Sequence, residues 1–147
     1  MMPYPEPLIA PMRQELVQVG FKELRTAADV DEVLGTDTGT TVVAINSVCG
    51  CSAGGMRPAV AHSLTNEAKP DVLATVFAGQ DLDATERARE YFAGYPPSSP
   101  AIALMKDGEL VYMMERHQIE GRHPLEIADT LKAAYDQHCA AGVSASE

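Results

Sequence analysis

Basic residues are scarce in this sequence: 11 lysines and arginines stand against 21 aspartates and glutamates, for a formal net charge of −10. A nucleic-acid partner requires basic residues that neutralise phosphates, so this balance argues against DNA or RNA binding. No apolar run approaches the roughly 20 residues that span a bilayer, so no membrane partner is expected. The first residues also lack the basic and apolar regions of a secretory signal, and we therefore expect a cytoplasmic protein.

Cysteine is also scarce, with three residues in a chain of 147. Secreted disulfide scaffolds pair an even number of cysteines, so an odd number without an export signal does not fit that class. In the cytoplasm, thiols are more typically catalytic than joined in structural disulfides. The few cysteines therefore point to chemistry rather than to covalent support.

The chain is long enough to bury a sizeable core, and its hydrophobic content of 46% is typical of globular proteins. Since no break in composition divides it, residues 1–147 are predicted to form a single domain. Prolines near the amino terminus predict an extended arm over residues 1–10, followed by a helix over about residues 11–19. Residues 140–147 are predicted to be a frayed tail.

The strongest chemical signal is the pair Cys49 and Cys51, which follows a short β-branched run at residues 41–45. That run predicts a buried strand, and a helical pattern begins at Met56 or Arg57. A thiolate placed before a helix is stabilised by the unpaired backbone N–H groups there, which lowers its pKa. Arg57 is a candidate second source of positive charge. Cys49, which precedes the helix, is therefore the expected attacking thiolate.

The one-residue spacing of the cysteines predicts an easily exchanged redox couple. A Cys-x-Cys disulfide closes a small ring that departs from relaxed disulfide geometry, and strain of this kind favours reduction. Gly50 and the pair Gly54 and Gly55 are expected to let the backbone turn tightly around exposed sulfurs. A pair of inert core thiols is the alternative, and these small, polar neighbours argue against it.

A metal site is an alternative of a different class. Cys49 and Cys51, with His117, His138 or Cys139, could supply ligands for zinc or an iron–sulfur cluster. A closed zinc site commonly takes four ligands from paired cysteine knuckles, and the sequence holds one short pair. We therefore favour a redox centre without metal, and keep a zinc- or iron–sulfur-binding module as the alternative.

The order of elements predicts the fold class. A second β-rich run at residues 72–78 makes a βαβ unit with parallel strands. Asp107 and Gly108, between apolar runs at residues 101–105 and 110–114, predict a β-hairpin, and Pro124 begins a closing helix. A mixed central sheet between helices, with cysteines after the first strand of the βαβ unit, is typical of a thioredoxin-like three-layer α/β/α fold.

Ser99 and Pro100 strengthen this prediction. In thioredoxin-like proteins a cis-proline lies beside the redox cysteines, and the backbone before it holds the substrate. The position of Pro100 at the start of the first hairpin strand favours a cis Ser99–Pro100 bond within contact reach of the cysteine turn.

Much of the chain, from about residue 11 to residue 139, resembles the bacilliredoxin family. The matching segments are residues 46–54, which contain Cys-Gly-Cys, and residues 57–59, 76–81, 89–92, 97–101, 116–117, 119–121 and 138–139. Members of this family are thioredoxin-like proteins that remove bacillithiol from bacillithiolated proteins, and disulfide isomerase activity is also attributed to them.

The resemblance implies a thiol–disulfide oxidoreductase whose catalytic residues are Cys49 and Cys51. It implies bacillithiol as co-substrate, no metal or organic cofactor, disulfide-bonded target proteins, and a reductase or further small thiol for recycling. Gly50, Arg57, Ser99 and Pro100 are the candidate supporting and substrate-binding residues. A general protein disulfide isomerase or reductase is the alternative with the same thiols.

Two further residues have less specific expectations. Cys139 shares an apolar stripe with Leu131 and Tyr135, so a buried and unreactive thiol is favoured. His117 follows the second hairpin strand, where a surface or capping role is the default.

Overall fold

The computed structural model describes residues 4–35 and 39–139, with five strands in one mixed sheet. The strands are β1 (Lys22–Glu23), β2 (Thr40–Asn46), β3 (Val72–Phe77), β4 (Ala101–Lys106) and β5 (Glu109–Met114). Their order across the sheet is β1-β3-β2-β4-β5, with β3 parallel to β1 and β2, and with β4 antiparallel to β2 and β5. The predicted βαβ unit and hairpin are thus confirmed. Asp107 and Gly108 take the positive φ angles, 52° and 84°, that a tight hairpin turn requires.

Six α-helices flank the sheet, and a five-residue π-helical turn, Ser52–Met56, precedes the third. They are α1 (Glu6–Val17), α2 (Ala27–Leu34), α3 (Arg57–Ser63), α4 (Leu82–Glu90), α5 (Arg116–Ile119) and α6 (Pro124–His138). In the described part of the chain, no helix is long and apolar enough to cross a membrane.

Strand β2 lies at the centre of three layers, and all seven of its residues are buried. Val42 and Ala44 face a core shared with α1, α3 and α6, whereas Val43 and Ile45 face a second core shared with α2 and α4. Burial of a valine or isoleucine side chain contributes about 1.5–3 kcal/mol, so both faces hold this strand firmly. The predicted α/β/α architecture is confirmed, and the loop after β2 starts from a rigid support.

The predicted extended arm is wrong for residues 6–10, because α1 begins at Glu6. Pro7 lies in its first turn, where a backbone N–H has no helical partner and none is lost. Pro11 lies inside the helix, where it removes one such bond, and packing compensates because Ile9 and Leu16 are fully buried. Residues 1–3 and the predicted tail at 140–147 lie outside the described residues.

An arginine also fastens α1 to the sheet. Arg13, only 5% exposed, donates to Glu6 at 2.8 Å, to Glu23 at 2.9 Å and to Asp81 at 2.7 Å. Three carboxylates around one buried guanidinium join α1, the edge strand β1 and the turn before α4. These ion pairs fix the position of α1 on the sheet. They also explain why this segment is helical although its prolines predict an extended chain.

The helix after β2 begins earlier than predicted. The backbone is helical from Gly50, passes through the π-helical turn and continues into α3. Gly55 is buried in this helix, where an added Cβ would make ordinary van der Waals contacts with Ile119 at 3.5 Å and Ile127 at 3.7 Å. Pro58 lacks an N–H and cannot bond in the α-helical manner to the carbonyl four residues earlier. The expected tight turn at Gly54 and Gly55 is therefore wrong, since both belong to the helix.

Candidate active site

Cys49 lies between the carboxyl end of β2 and the first helical residue, Gly50. Its carbonyl oxygen accepts hydrogen bonds from the N–H groups of Ser52, at 3.0 Å, and Ala53, at 3.2 Å. Cys49 thus begins the helix, with its side chain near the first N–H groups of that helix. Both Cys49 and Cys51 are free thiols and half-buried.

The surroundings of the Cys49 sulfur favour its thiolate. Partial burial raises the pKa of Cys49, but other contacts outweigh it. The Ser47 hydroxyl donates to Sγ at 3.4 Å, and backbone N–H groups of Ser52 and Cys51 and the charge of Arg116 act in the same direction. The pKa of Cys49 is therefore lower than that of an ordinary cysteine, as its position before a helix predicts.

The surroundings of Cys51 favour its neutral thiol. Burial raises the pKa of Cys51, and so do the negative charge of a Cys49 thiolate and the carboxylate of Glu120; Arg116 opposes them only in part. The Cys51 thiol lies 3.9 Å from Glu120 Oε2 and can donate to it. With the two pKa values shifted in opposite directions, the site can hold one thiolate at Cys49 and one protonated thiol at Cys51.

Arg57 does not face the sulfurs, which corrects the expectation that it adds positive charge to the site. Its side chain is 3% exposed and donates to Glu15 at 2.9 Å, to Asn46 Oδ1 at 2.8 Å and to the Ser47 carbonyl at 3.0 Å. The guanidinium is bound to these three acceptors, and its bond to the Ser47 carbonyl holds the backbone of the loop after β2. Since Ser47 contacts the Cys49 sulfur, Arg57 acts on the site through the position of Ser47.

The cation beside the sulfurs is Arg116, at the start of α5. Its Nη2 atom lies 3.9 Å from Cys51 Sγ and 3.2 Å from Glu120 Oε2, and its Nη1 donates to the Ser99 carbonyl at 3.2 Å. One side chain therefore connects the cysteine turn, α5 and the segment before Pro100. The four-residue helix α5 has no apolar periodicity of its own, so local sequence pattern did not predict this role.

The Ser99–Pro100 peptide bond is cis, as predicted. Pro100 is buried at the start of β4, while Ser99 is partly exposed and lines the same cavity as Cys49. Ser99 and Cys49 therefore share one cavity, and direct contact between Pro100 and the cysteine turn stays a prediction.

Cys49 and Cys51 line two different cavities. The first, here called the Cys49 cavity, has a volume of about 330 Å³ and is lined by Tyr4, Ser47, Val48, Cys49, Ala78, Gly79, Arg89, Ser99 and Arg116. The second, of about 230 Å³, is lined by Gly50, Cys51, Gly54, Gly55, Ile119, Gly121 and Arg122. Gly50 has no side chain, and nothing lies within 4 Å of the point where one would start, so the backbone beside Cys51 is open.

Two reciprocal hydrogen bonds hold Tyr4 at the edge of the Cys49 cavity. The N–H of Tyr4 donates to Gln80 Oε1 at 2.7 Å, and Gln80 Nε2 donates to the Tyr4 carbonyl at 2.9 Å. The glutamine amide pairs with the main chain as a neighbouring strand would. The amino-terminal segment is thus fastened beside the site.

The remaining candidate ligands are not brought to the cysteines. Cys139 ends α6 and contacts Thr40, at the opposite end of β2, and His138 precedes it. His117 is exposed on α5. Among residues 4–35 and 39–139, no group of three or more His, Cys, Asp or Glu side chains could hold a metal ion. Cys139 is half-buried against the core rather than fully buried, and burial raises the pKa of its thiol.

Three functional candidates escaped sequence reasoning: Arg116, Glu120 and Arg89. The first two lie 65 and 69 residues beyond Cys51 in the chain, and only the fold brings them to its sulfur. The available signal was their occurrence in segments that resemble a known family, at residues 89–92, 116–117 and 119–121.

Known proteins match this chain in sequence and in fold. A family model described as disulphide isomerase matches residues 4–139. A bacilliredoxin from Geobacillus kaustophilus is 53% identical over 132 residues, which cover 90% of each chain. A bacilliredoxin from Koribacter versatilis is 49% identical over 142 residues, 97% of this chain and 98% of that one. The structure resembles Fasciola hepatica thioredoxin with a TM-score of 0.54 and 21% identity, over 80% of this chain and 99% of that one. The predicted thioredoxin-like fold is thus confirmed.

Proposed function

This chain belongs to the disulphide isomerase family, in which its relatives are bacilliredoxins, and we propose that it removes bacillithiol from mixed disulfides on cytosolic proteins. The relatives and the thioredoxin fold support the broader class, a thiol–disulfide oxidoreductase that acts on disulfide-containing proteins. The observation that carries the exchange chemistry is the unlike setting of the two sulfurs: the Ser47 hydroxyl donates to Cys49 Sγ at 3.4 Å, whereas the Cys51 thiol lies 3.9 Å from a Glu120 oxygen, and the pKa is lowered at Cys49 and raised at Cys51.

The first step is attack by the Cys49 thiolate on the bacillithiol sulfur of the mixed disulfide. A new disulfide forms between Cys49 and bacillithiol, the old disulfide breaks, and the target protein leaves as a thiolate that takes a proton from water. The lowered pKa of Cys49 supports this role because the thiolate is the nucleophile in exchange.

The second step frees bacillithiol. Cys51 loses its proton and attacks the Cys49 sulfur, which leaves a Cys49–Cys51 disulfide and one bacillithiol thiolate; alternatively a second bacillithiol attacks and leaves with the first as a disulfide. The positive charge of Arg116 acts on both sulfurs, so it can stabilise a thiolate at Cys49 or at Cys51.

These two steps balance with thiols and disulfides alone, so we propose bacillithiol as co-substrate and no metal or organic cofactor. An oxidised pair requires a reductase or more bacillithiol for recycling. A reducing cytosol suits this cycle, because free thiols persist there.

Disulfide isomerisation is a second candidate activity, favoured by the match to the disulphide isomerase family. Isomerisation needs the same thiolate at Cys49 but a protein disulfide as substrate, and Cys51 would release stalled intermediates. Ribonuclease with scrambled disulfides tests this activity, since regain of its cleavage activity requires rearrangement rather than simple reduction.

A trapping experiment tests the proposed function. We expect Cys51→Ala, given a bacillithiolated protein, to accumulate one bacillithiol on Cys49, since the attacking thiol is present and the resolving thiol is not. Cys49→Ala should remain unmodified and inactive. Intact-protein mass spectrometry reads both outcomes, with Cys139→Ala as the matched control. An adduct on Cys51 in Cys49→Ala, with none in Cys51→Ala, would reverse the assignment of the two thiols.

A further inference from the structure

Arg89, on α4, is an arginine whose hydrogen-bonding capacity is largely unused. Its Nη2 donates to the Ser98 carbonyl at 3.2 Å, and its Nε is buried without a hydrogen-bond partner among the described residues. Buried polar groups in folded proteins are normally paired, and an unpaired one is often found where a ligand or water completes the set. A guanidinium carries five donors in a fixed fork that matches a carboxylate.

The other arginines near this region are matched with carboxylates. Arg13 contacts three, Arg57 contacts Glu15, Arg87 contacts Asp31 and Glu90, and Arg116 contacts Glu120. Among the described residues, no Asp or Glu oxygen lies within 4.0 Å of Arg89, although the protein carries a net charge of −10. Burial lowers the pKa of Arg89, and no ion pair with a described carboxylate opposes that effect. An arginine still keeps its charge at neutral pH.

Arg89 lies in the wall of the Cys49 cavity, which also contains Ser99 and Gly79. The volume of about 330 Å³ is that of a small organic ligand site. A further cavity of about 460 Å³, whose lining includes Glu86 and Glu90, shares Arg89 and Gly79 with it. Arg89 therefore lies in the wall of both cavities, and the first of them also contains Cys49.

We propose that the Cys49 cavity receives the small-thiol half of the mixed disulfide and that Arg89 binds a carboxylate of that thiol. This rests on the proposed function and adds to it the residue that recognises the small thiol. Arg116 does not compete for this role, because it faces the cysteine sulfurs and Glu120.

Binding of this kind decides which sulfur is attacked. A mixed disulfide has two sulfur atoms, and attack on the wrong one would attach the target protein to Cys49 and release the small thiol. With the carboxylate held at Arg89, the sulfur of the small thiol faces Cys49 and the protein thiolate is the leaving group. Arg89 is thus a specificity-determining residue that touches the substrate away from the reacting atoms.

Two synthetic substrates separate this contact from the chemistry. A carrier protein with one cysteine is joined by a mixed disulfide either to 3-mercaptopropionate, which carries a carboxylate, or to 2-mercaptoethanol, which carries a hydroxyl. Initial rates of carrier thiol release give kcat/KM for each. We expect the wild-type protein to prefer the carboxylate substrate about tenfold, as a well-placed charged hydrogen bond allows.

Variants on α4 then test the residue. Arg89→Gln should abolish the preference, because kcat/KM for the carboxylate substrate falls about tenfold relative to kcat/KM for the hydroxyl substrate. Arg87→Gln is the matched control, because it removes the same charge from the same helix on the side that faces Asp31. It should keep the full preference. Arg89→Lys should keep part of it, and circular dichroism checks that each variant is folded.

Each outcome separates the two proposals. If the wild-type protein cleaves both substrates but Arg89→Gln keeps the preference, or loses both activities equally while folded, the role of Arg89 is refuted and the proposed function stands. If the wild-type protein cleaves neither these substrates nor a bacillithiolated protein, the proposed function itself fails.

Discussion

Cys49 and Cys139 lie at opposite ends of β2, in surroundings that look alike at first. Each is half-buried, each has a hydroxyl nearby that favours its thiolate, from Ser47 or Thr40, and each lies at one end of a helix. Burial raises the pKa of both thiols. Yet the pKa of Cys49 is lowered overall and that of Cys139 is raised.

Backbone N–H groups make the difference. Cys49 begins a helix, where the N–H groups of Ser52 and Cys51 favour its thiolate, together with the charge of Arg116. At Cys139 burial is the largest cause of the raised pKa and Asp71 adds to it, while Thr40 and Lys106 oppose them without outweighing them. A hydroxyl contact and a nearby cation are therefore not enough to activate a thiol; the added backbone N–H groups at the start of a helix distinguish Cys49.

The largest expected effect is a difference in alkylation rate between these two ends. In the native Cys51→Ala variant at pH 7, iodoacetamide should modify Cys49 at least about tenfold faster than Cys139, because Cys49 has the larger thiolate fraction. Peptide mass spectrometry measures both rates in one sample. Urea should make the rates similar, since both thiols then have ordinary surroundings, and similar rates in the native protein would contradict the difference described here.

Removal of Cys139 should cost stability but not activity. Cys139→Ala is expected to lower the free energy of unfolding by about 1 kcal/mol, as small truncations against a core do. Urea denaturation measures the loss, and the rate of thiol–disulfide exchange should stay within about twofold of wild type. A stable variant that has lost most of its exchange activity would show that the far end of the sheet takes part in the chemistry.

A smaller effect is expected from the cation beside the active sulfurs. Arg116→Gln should raise the pKa of Cys49 and slow its alkylation at pH 7 by about two- to threefold, since an exposed charge is partly screened by water and salt. Thiolate absorbance at 240 nm against pH measures the shift. Arg116→Lys, which keeps the charge, is the control, and added salt should weaken the effect. A shift of the Cys139 titration by the same amount would argue for a general change rather than a local one.

The smallest effect is a pair of opposite slopes of stability against pH. Because folding lowers the pKa of Cys49, the folded state binds fewer protons there than the unfolded state, and stability rises as pH rises from the folded to the unfolded pKa. Folding raises the pKa of Cys139, so its contribution is lost as pH rises from the unfolded pKa through the folded one. Urea denaturation from pH 6 to pH 10 measures the slopes, with Cys49→Ala and Cys139→Ala each removing one. Slopes of the same sign would contradict the two shifts.

Local sequence signals predicted the central features of the fold and the site. The cis bond at Pro100 was predicted from the place of this proline in a thioredoxin-like fold. The β-branched run before Cys49 and the Asp107–Gly108 turn each depend on a few adjacent residues. Their structures follow from backbone preferences that short segments already have. The pair Cys49 and Cys51 belongs to this class, because its place between a strand and a helix is visible in the sequence.

Features that depend on distant parts of the chain were missed or assigned wrongly. Arg57 is close to the cysteines in sequence, yet its side chain turns inward to Glu15 and Asn46, and Arg116 takes the position beside the sulfurs. The helical start at Glu6 depends on carboxylates around Arg13 from three separate segments. Neither arrangement could be predicted from local preference, because a charged side chain is positioned by partners that the sequence does not place.

The reciprocal bonds between Tyr4 and Gln80 have a practical consequence for work with this protein. They hold Tyr4, the first described residue, at the edge of the Cys49 cavity. An affinity tag or fluorescent fusion joined at the amino terminus would therefore enter the fold beside the reactive sulfur, where it could obstruct a bulky protein substrate. α6 ends near Thr40, at the end of β2 opposite to the cysteines, so a label attached after α6 leaves the Cys49 cavity open.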